Sequence, residues 1–184
     1  MRDPTDKEIA GRLQNFIEHE IVLQSATPHV RYYRFARPGD CFYAFDILTT
    51  HDTTVVNGDI GLLVLQKPLA WCRGVIAKPS RISWSCVAEK VSREIEVAQF
   101  CPEEARQALQ EWVQEHPQVL EKNPEIDEDL YPETLQAFFD QLIELGETDA
   151  YEYDKEPLRY SDWFVNQVIA IRSFIRHLDS ISGN

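Results

Sequence analysis

Residues 30–66 read VRYYRFARPGDCFYAFDILTTHDTTVVNGDIGLLVLQ, and the period of this stretch decides the fold. Over residues 30–37, Arg31, Tyr33, Phe35 and Arg37 alternate with Val30, Tyr32, Arg34 and Ala36, a period of two rich in the aromatic residues that strands favour. Pro38-Gly39-Asp40 is a turn signal. In residues 41–49, Cys41, Tyr43, Phe45 and Ile47 form one face and Phe42, Ala44, Asp46 and Leu48 the other, the first being the more apolar. His51-Asp52 is a short connection, residues 53–56 a third strand, and Asn57-Gly58-Asp59 a turn in which Gly58 takes positive φ. Residues 60–66 return as a fourth strand, stopped near Pro68. Connections this short force antiparallel neighbours, because a parallel pair needs a crossover of about a dozen residues. The expectation is a four-stranded antiparallel meander.

Working outward, Thr5 and Glu8 form a capping box, and Ile9, Leu13, Phe16 and Ile17 recur at helical spacing. They predict a helix of about 17 residues that runs on through residues 20–23 and ends at Thr27-Pro28. Beyond the strands, Gly74 and Pro79 mark a connection, and Ser80 or Ser83 caps a helix through Trp84, Val87, Ala88 and Val91, although Ile82, Trp84 and Cys86 also alternate as a strand would. Pro102 after Cys101, with Glu103 and Glu104 in the first turn, opens a helix through Leu109 and Trp112 to His116-Pro117. Residues 117–132 read as loop. Leu135, Phe138, Phe139 and Leu142 then lie on one stripe ending at Gly146, and Ser161 or Asp162 starts a last helix whose face is Phe164, Val168, Ile171, Ile175 and Leu178. The whole predicts one α+β domain, residues 1–184: a helix and sheet over 1–70, and a mainly helical, acidic half over 80–180.

The 184 residues suit one domain with a real core, and 43% hydrophobic residues argue against disorder. No apolar run reaches the roughly 18 residues that span a bilayer, and the first ten residues lack a signal-peptide core, so a cytoplasmic protein is expected. Cys41, Cys72, Cys86 and Cys101 form no C-x-x-C pair, and no His lies at zinc-ligand spacing from another His or a Cys. The cysteines are therefore expected to be small buried hydrophobes, with no metal and no cofactor. Charge is lopsided: residues 103–156 carry seventeen Asp and Glu against Arg106, Lys122 and Lys155, while residues 1–102 hold twelve acids and twelve bases.

Phe45-Asp46-Ile47-Leu48-Thr49 followed by Gly58-Asp59-Ile60-Gly61 resembles the F-x-I-x-T and G-D-M-G strand-turn-strand motif of a family of phage- and prophage-encoded proteins of this size. Trp84 with Ala88-Glu89-Lys90 is similar to that family's aromatic-x-E-K helix start, and Phe100-Cys101-Pro102-Glu103 to its F-S-P-E cap. Asp162-Trp163-Phe164, with Ala170-Ile171 and Ile175-Arg176, is similar to its terminal helix. The likeness covers residues 31–179 and implies phage or prophage origin, hence a host-cell cytoplasm, and an α+β domain. It implies no particular ligand.

Among candidate sites, Asp59 between Gly58 and Gly61 suits a metal ligand or general base, but equally a carboxylate that bonds its own turn, which is the expectation. His51-Asp52 has the composition of an acid–base pair, although adjacent strand-end residues point apart. Ser83, Ser85 and Cys86 lack a nucleophile elbow, and Gly58-x-x-Gly61 lacks the features of a phosphate loop. Arg31, Arg34 and Arg37 interleave with aromatic residues, yet Arg34 falls on the opposite face, so direct nucleic-acid binding is not expected. The sharper feature is Glu125, Asp127, Glu128, Asp129 and Glu133 around Tyr131, an aromatic anchor flanked by carboxylates. It suits a partner with a basic surface, such as a nuclease or CRISPR effector complex, and a non-enzymatic role as nucleic acid mimic and host-defence inhibitor of the anti-CRISPR kind. The alternative is a small metal-assisted or acid–base enzyme using Asp59 with His51 or Asp46.

Overall fold

The structure is a computed structural model that describes residues 1–78, 80–117, 130, 132–146 and 157–182. The chain is α+β and divides into two compact units: a larger one, residues 3–97 with 160–184, and a smaller one, residues 1–2 with 98–159.

In the larger unit a five-stranded antiparallel sheet runs in chain order, β1 (Glu20–Ala26), β2 (Arg31–Ala36), β3 (Phe45–Thr49), β4 (Thr54–Gly58) and β5 (Leu63–Leu65). On β3 the buried face is the one expected, that of Phe45 and Ile47. Tyr33, Phe35, Phe45, Ile47, Val56, Leu63 and Leu65 are buried, while Arg34, Asp46 and Leu48 project to the other side, where Arg34 pairs with Asp46 at 3.2 Å across the β2–β3 register. The buried face meets α6 (Asp162–Ser182), whose Phe174 ring packs on Tyr33 and Phe35 with centroids 5.1 and 5.7 Å apart. Ser161 caps α6, its Oγ accepting from the Phe164 amide at 3.2 Å, and its own amide donates to the Val97 carbonyl at 2.9 Å.

Several expectations need correction. The first helix stops early: α1 covers Asp6–Leu13 with the Thr5–Glu8 capping box in place, a 3-10 turn takes Gln14–Phe16, and residues 20–26 become the fifth strand. Pro28 forces a tight turn in which the Thr27 amide bonds the Val30 carbonyl at 2.8 Å, so the residues before it satisfy their backbone groups along β2 rather than within a helix. Residues 41–44 are a turn, with Tyr43 at φ 58, which delays β3 to Phe45 and leaves Cys41 exposed rather than buried. Residues 60–62 leave the ladder because Gly61 bonds back to Gly58 at 2.9 Å with φ +81. The expected connection at Gly74 is helical instead, α2 (Leu69–Cys72) continuing as a π segment over Arg73–Ala77 that buries Cys72 and Ile76. Burial pushes the Cys72 thiol up to about 11, so it is inert as a nucleophile. A helix does follow Ser83, but it is shorter than expected: α3 (Trp84–Ala88) has no side-chain cap and stops before Val91, with Trp84 buried against Tyr160 and Phe164.

His19 is sealed between the Phe16 and Phe35 rings, its Nε2 3.2 Å from the Tyr43 carbonyl and its Nδ1 buried without a partner. Only the neutral ring with the proton on Nε2 satisfies this setting, and desolvation holds its pKa below the usual 6.5. The unfolded chain therefore takes up a proton before the folded one does. Stability is full above about pH 6.5 and falls as pH drops towards the folded-state value. Urea midpoints at about pH 7.5 and pH 5 are expected to differ more in the wild type than in His19→Gln, which keeps a donor but does not titrate.

In the smaller unit β6 (Ala98–Phe100) pairs with β7 (Leu158–Tyr160), whose last residue already belongs to the larger unit, and the helices are α4 (Pro102–Glu115) and α5 (Leu135–Glu144). Cys101 and Pro102 open α4 as the sequence implies. Thr134 caps α5 by accepting from the Ala137 amide at 3.1 Å. Ala105, Leu109, Trp112 and Val113 of α4 share a core with Phe138, Phe139 and Leu142 of α5, at the helical spacing that had marked both.

Candidate functional site

Of the residues proposed for partner binding, Glu125, Asp127, Glu128, Asp129 and Tyr131 lie outside the described residues, and Glu133 is exposed just before α5. The turn Gly58-Asp59-Ile60-Gly61 is tightly built. Gly58 has φ +151, the Asp59 amide bonds the Ala44 carbonyl at 3.0 Å, and Ile60 is buried with its carbonyl accepting from Gln167 Nε2 of α6 at 3.0 Å. The Asp59 carboxylate itself is exposed and makes no bond to its own turn.

The alternative catalytic set does not come together. Asp59 follows the end of β4 and His51 lies in the turn before its start, so the two stand beyond opposite ends of a strand that itself spans roughly 13 Å. Asp46 lies on the sheet face held by Arg34. His51 and Asp52 do approach, Nε2 to Oδ2 at 3.6 Å, but both are exposed. Hydrogen bonds from the Thr50 and Thr53 hydroxyls, more than the neighbouring His51, hold the Asp52 carboxyl below the usual carboxylate range. Asp52 thus serves to fix the β3–β4 turn. Among the described residues no group of three or more His, Cys, Asp or Glu is placed to hold a metal ion. No helix among them is long and apolar enough to cross a membrane.

His51 nevertheless borders an open cleft of about 540 Å³ in the larger unit. Its walls come from the β1–β2 turn with His29 and the start of β2 with Arg31, the β3–β4 turn with Thr50 and His51, the start of α2 with Leu69 and the π segment after it with Arg73, and Leu178 of α6. These segments are tied together, since the Leu69 amide donates to Thr49 Oγ1 at 3.3 Å and Arg73 binds Asp179 of α6 at 2.7 Å. Sequence reading singled out His51 and Arg31 for other roles and passed over His29 and Arg73. No local signal marks the cleft, because its walls are brought together only by the sheet and by α6.

The remaining arginines of the basic strand are engaged, Arg34 with Asp46 and Arg37 with Glu18 at 3.0 Å and Asp40 at 3.5 Å. No protein-family model matches the chain, no curated protein is detectably similar to it in sequence, and no solved structure is detectably similar to it in fold.

Proposed function

We propose that the chain is a non-enzymatic interaction protein whose smaller, helical unit presents an acidic surface to a basic, nucleic-acid-binding surface of another protein. The observation that carries this reading is the way charge divides between the units. The smaller holds seventeen Asp and Glu against five Lys and Arg, the larger fourteen against thirteen. Nearly all of the net charge of −13 therefore belongs to one folding unit rather than being spread as a solubilising coat. Glu103, Glu115, Glu133, Asp140 and Glu144 are exposed in it, while Leu109, Trp112 and Val113 of α4 and Phe138, Phe139 and Leu142 of α5 face inward. Carboxylates so placed take the position of phosphates on Arg and Lys side chains. In the phage setting that the motif resemblance implies, the target is a host defence nuclease such as a CRISPR effector, and inhibition is by competition for the DNA-binding surface.

The test is DNA binding by purified effector–guide complexes with the protein added. Inhibition is expected to weaken tenfold or more as salt rises from roughly 50 to 200 mM, and to be relieved by excess DNA. A variant with Glu103, Glu115, Glu125, Asp127, Glu128, Asp129, Glu133, Asp140 and Glu144 changed to Gln or Asn is expected to lose inhibition while keeping its circular dichroism. Inhibition that is indifferent to salt, or that survives this neutralisation, defeats the reading.

A further inference from the structure

We infer that the cleft between the β1–β2 turn, the β3–β4 turn and α2 is a binding site for a phosphomonoester of about mononucleotide size. In a chain of 31 acids and 18 Lys and Arg, no Asp or Glu stands among the described residues that line it, whereas Arg31, Arg73, His29 and His51 do. Arg73 has a structural partner in Asp179, but Arg31, His29 and His51 are exposed and support no core, so packing does not account for their convergence on the cleft. Arg31 makes no ion pair among the described residues. Arg73 is fixed by Asp179 through one terminal nitrogen, and its Nε is buried without an acceptor. A guanidinium held in this way is already oriented, so a terminal N–H outside the Asp179 pair can meet an anion at little entropic cost, although the buried Nε cannot reach it. Leu69 and Leu178 supply the apolar shelf on which the organic part rests, and the volume lies within the range of small-molecule sites. The walls are joined by the Leu69–Thr49 and Arg73–Asp179 bonds, so the cleft is formed before binding.

Isothermal titration with adenosine 5′-monophosphate, inorganic phosphate and adenosine tests this on the intact chain. The nucleotide is expected to bind more tightly than phosphate, and adenosine not to bind detectably. Arg31→Gln, at an exposed position, is expected to weaken nucleotide affinity about tenfold or more without changing the melting temperature. Arg73→Gln is expected to weaken it as well, with some loss of stability through Asp179. Absence of binding by the wild type, equal binding of adenosine and its monophosphate, or full affinity in Arg31→Gln overturns the inference. Equal affinity for phosphate and nucleotide overturns the apolar shelf. Neutralising the acids of the smaller unit is expected to leave this titration unchanged, which separates failure here from failure of the interaction reading.

Discussion

Gly58→Ala is expected to destabilise the larger unit by about 3 kcal/mol or more, enough to remove much of the stability of an ordinary domain. A Cβ at this position would stand 2.4 Å from the Ala44 carbonyl oxygen and 2.7 Å from the Phe45 Cα. Both are backbone atoms where the preceding turn enters β3, so no flexible side-chain end can yield. The backbone at φ +151 is also a conformation that only glycine adopts without strain. Relief would have to come from spreading β3 and β4 at the Phe45–Gly58 pair, where Phe45 is fully buried. Gly11→Ala is the control: it lies in α1 with nothing within 4 Å of an added Cβ, and is expected to stabilise by about 0.5–1 kcal/mol. Chemical denaturation of both variants beside the wild type measures the difference, and equal midpoints for Gly58→Ala and wild type contradict the steric argument.

Phe174→Ala is the second large effect, expected to cost about 3–5 kcal/mol. Phe174 is wholly buried where α6 crosses the sheet, and its ring touches Tyr33 and Phe35, the latter packed in turn on Phe45 at 5.5 Å. Removing the ring leaves a cavity that closes only if a helix buried on most sides moves towards the sheet, and Val165, Ile169 and Ala170 on its other faces are held too. Arg176→Ala, two residues on and exposed, is expected to stay within about 0.5 kcal/mol. A similar cost for both would mean that α6 contributes through its helical propensity rather than through this packing.

The elements that announced themselves in the sequence are those that bury one face. Tyr33 and Phe35, Phe45 and Ile47, Leu109 and Trp112, and Phe164, Val168 and Ile171 all sit inside at the period that marked them. β1 escaped because it lies at the edge of the sheet, with Ile21 half-buried and the other six of its residues exposed, so no alternation was imposed on it. Its Ile21-Val22-Leu23 run happened to continue the spacing of Ile9, Leu13 and Ile17, and was read as helix. The turn at Gly58 was legible because its chemistry is local. The cleft was not, because His29, His51, Arg73 and Leu178 become neighbours only through pairing of the strands and return of α6. The catalytic alternative failed for the same reason in reverse: His51 and Asp59 are eight positions apart in the chain, but a strand keeps them separate.

The hydrogen bond from the Ser161 amide to the Val97 carbonyl closes a loop in the chain. Residues 97 and 161 are joined within the larger unit, so the 98–159 stretch leaves and re-enters at almost one point. A stretch anchored in this way can change in length with little loop-closure cost to the sheet and its terminal helix.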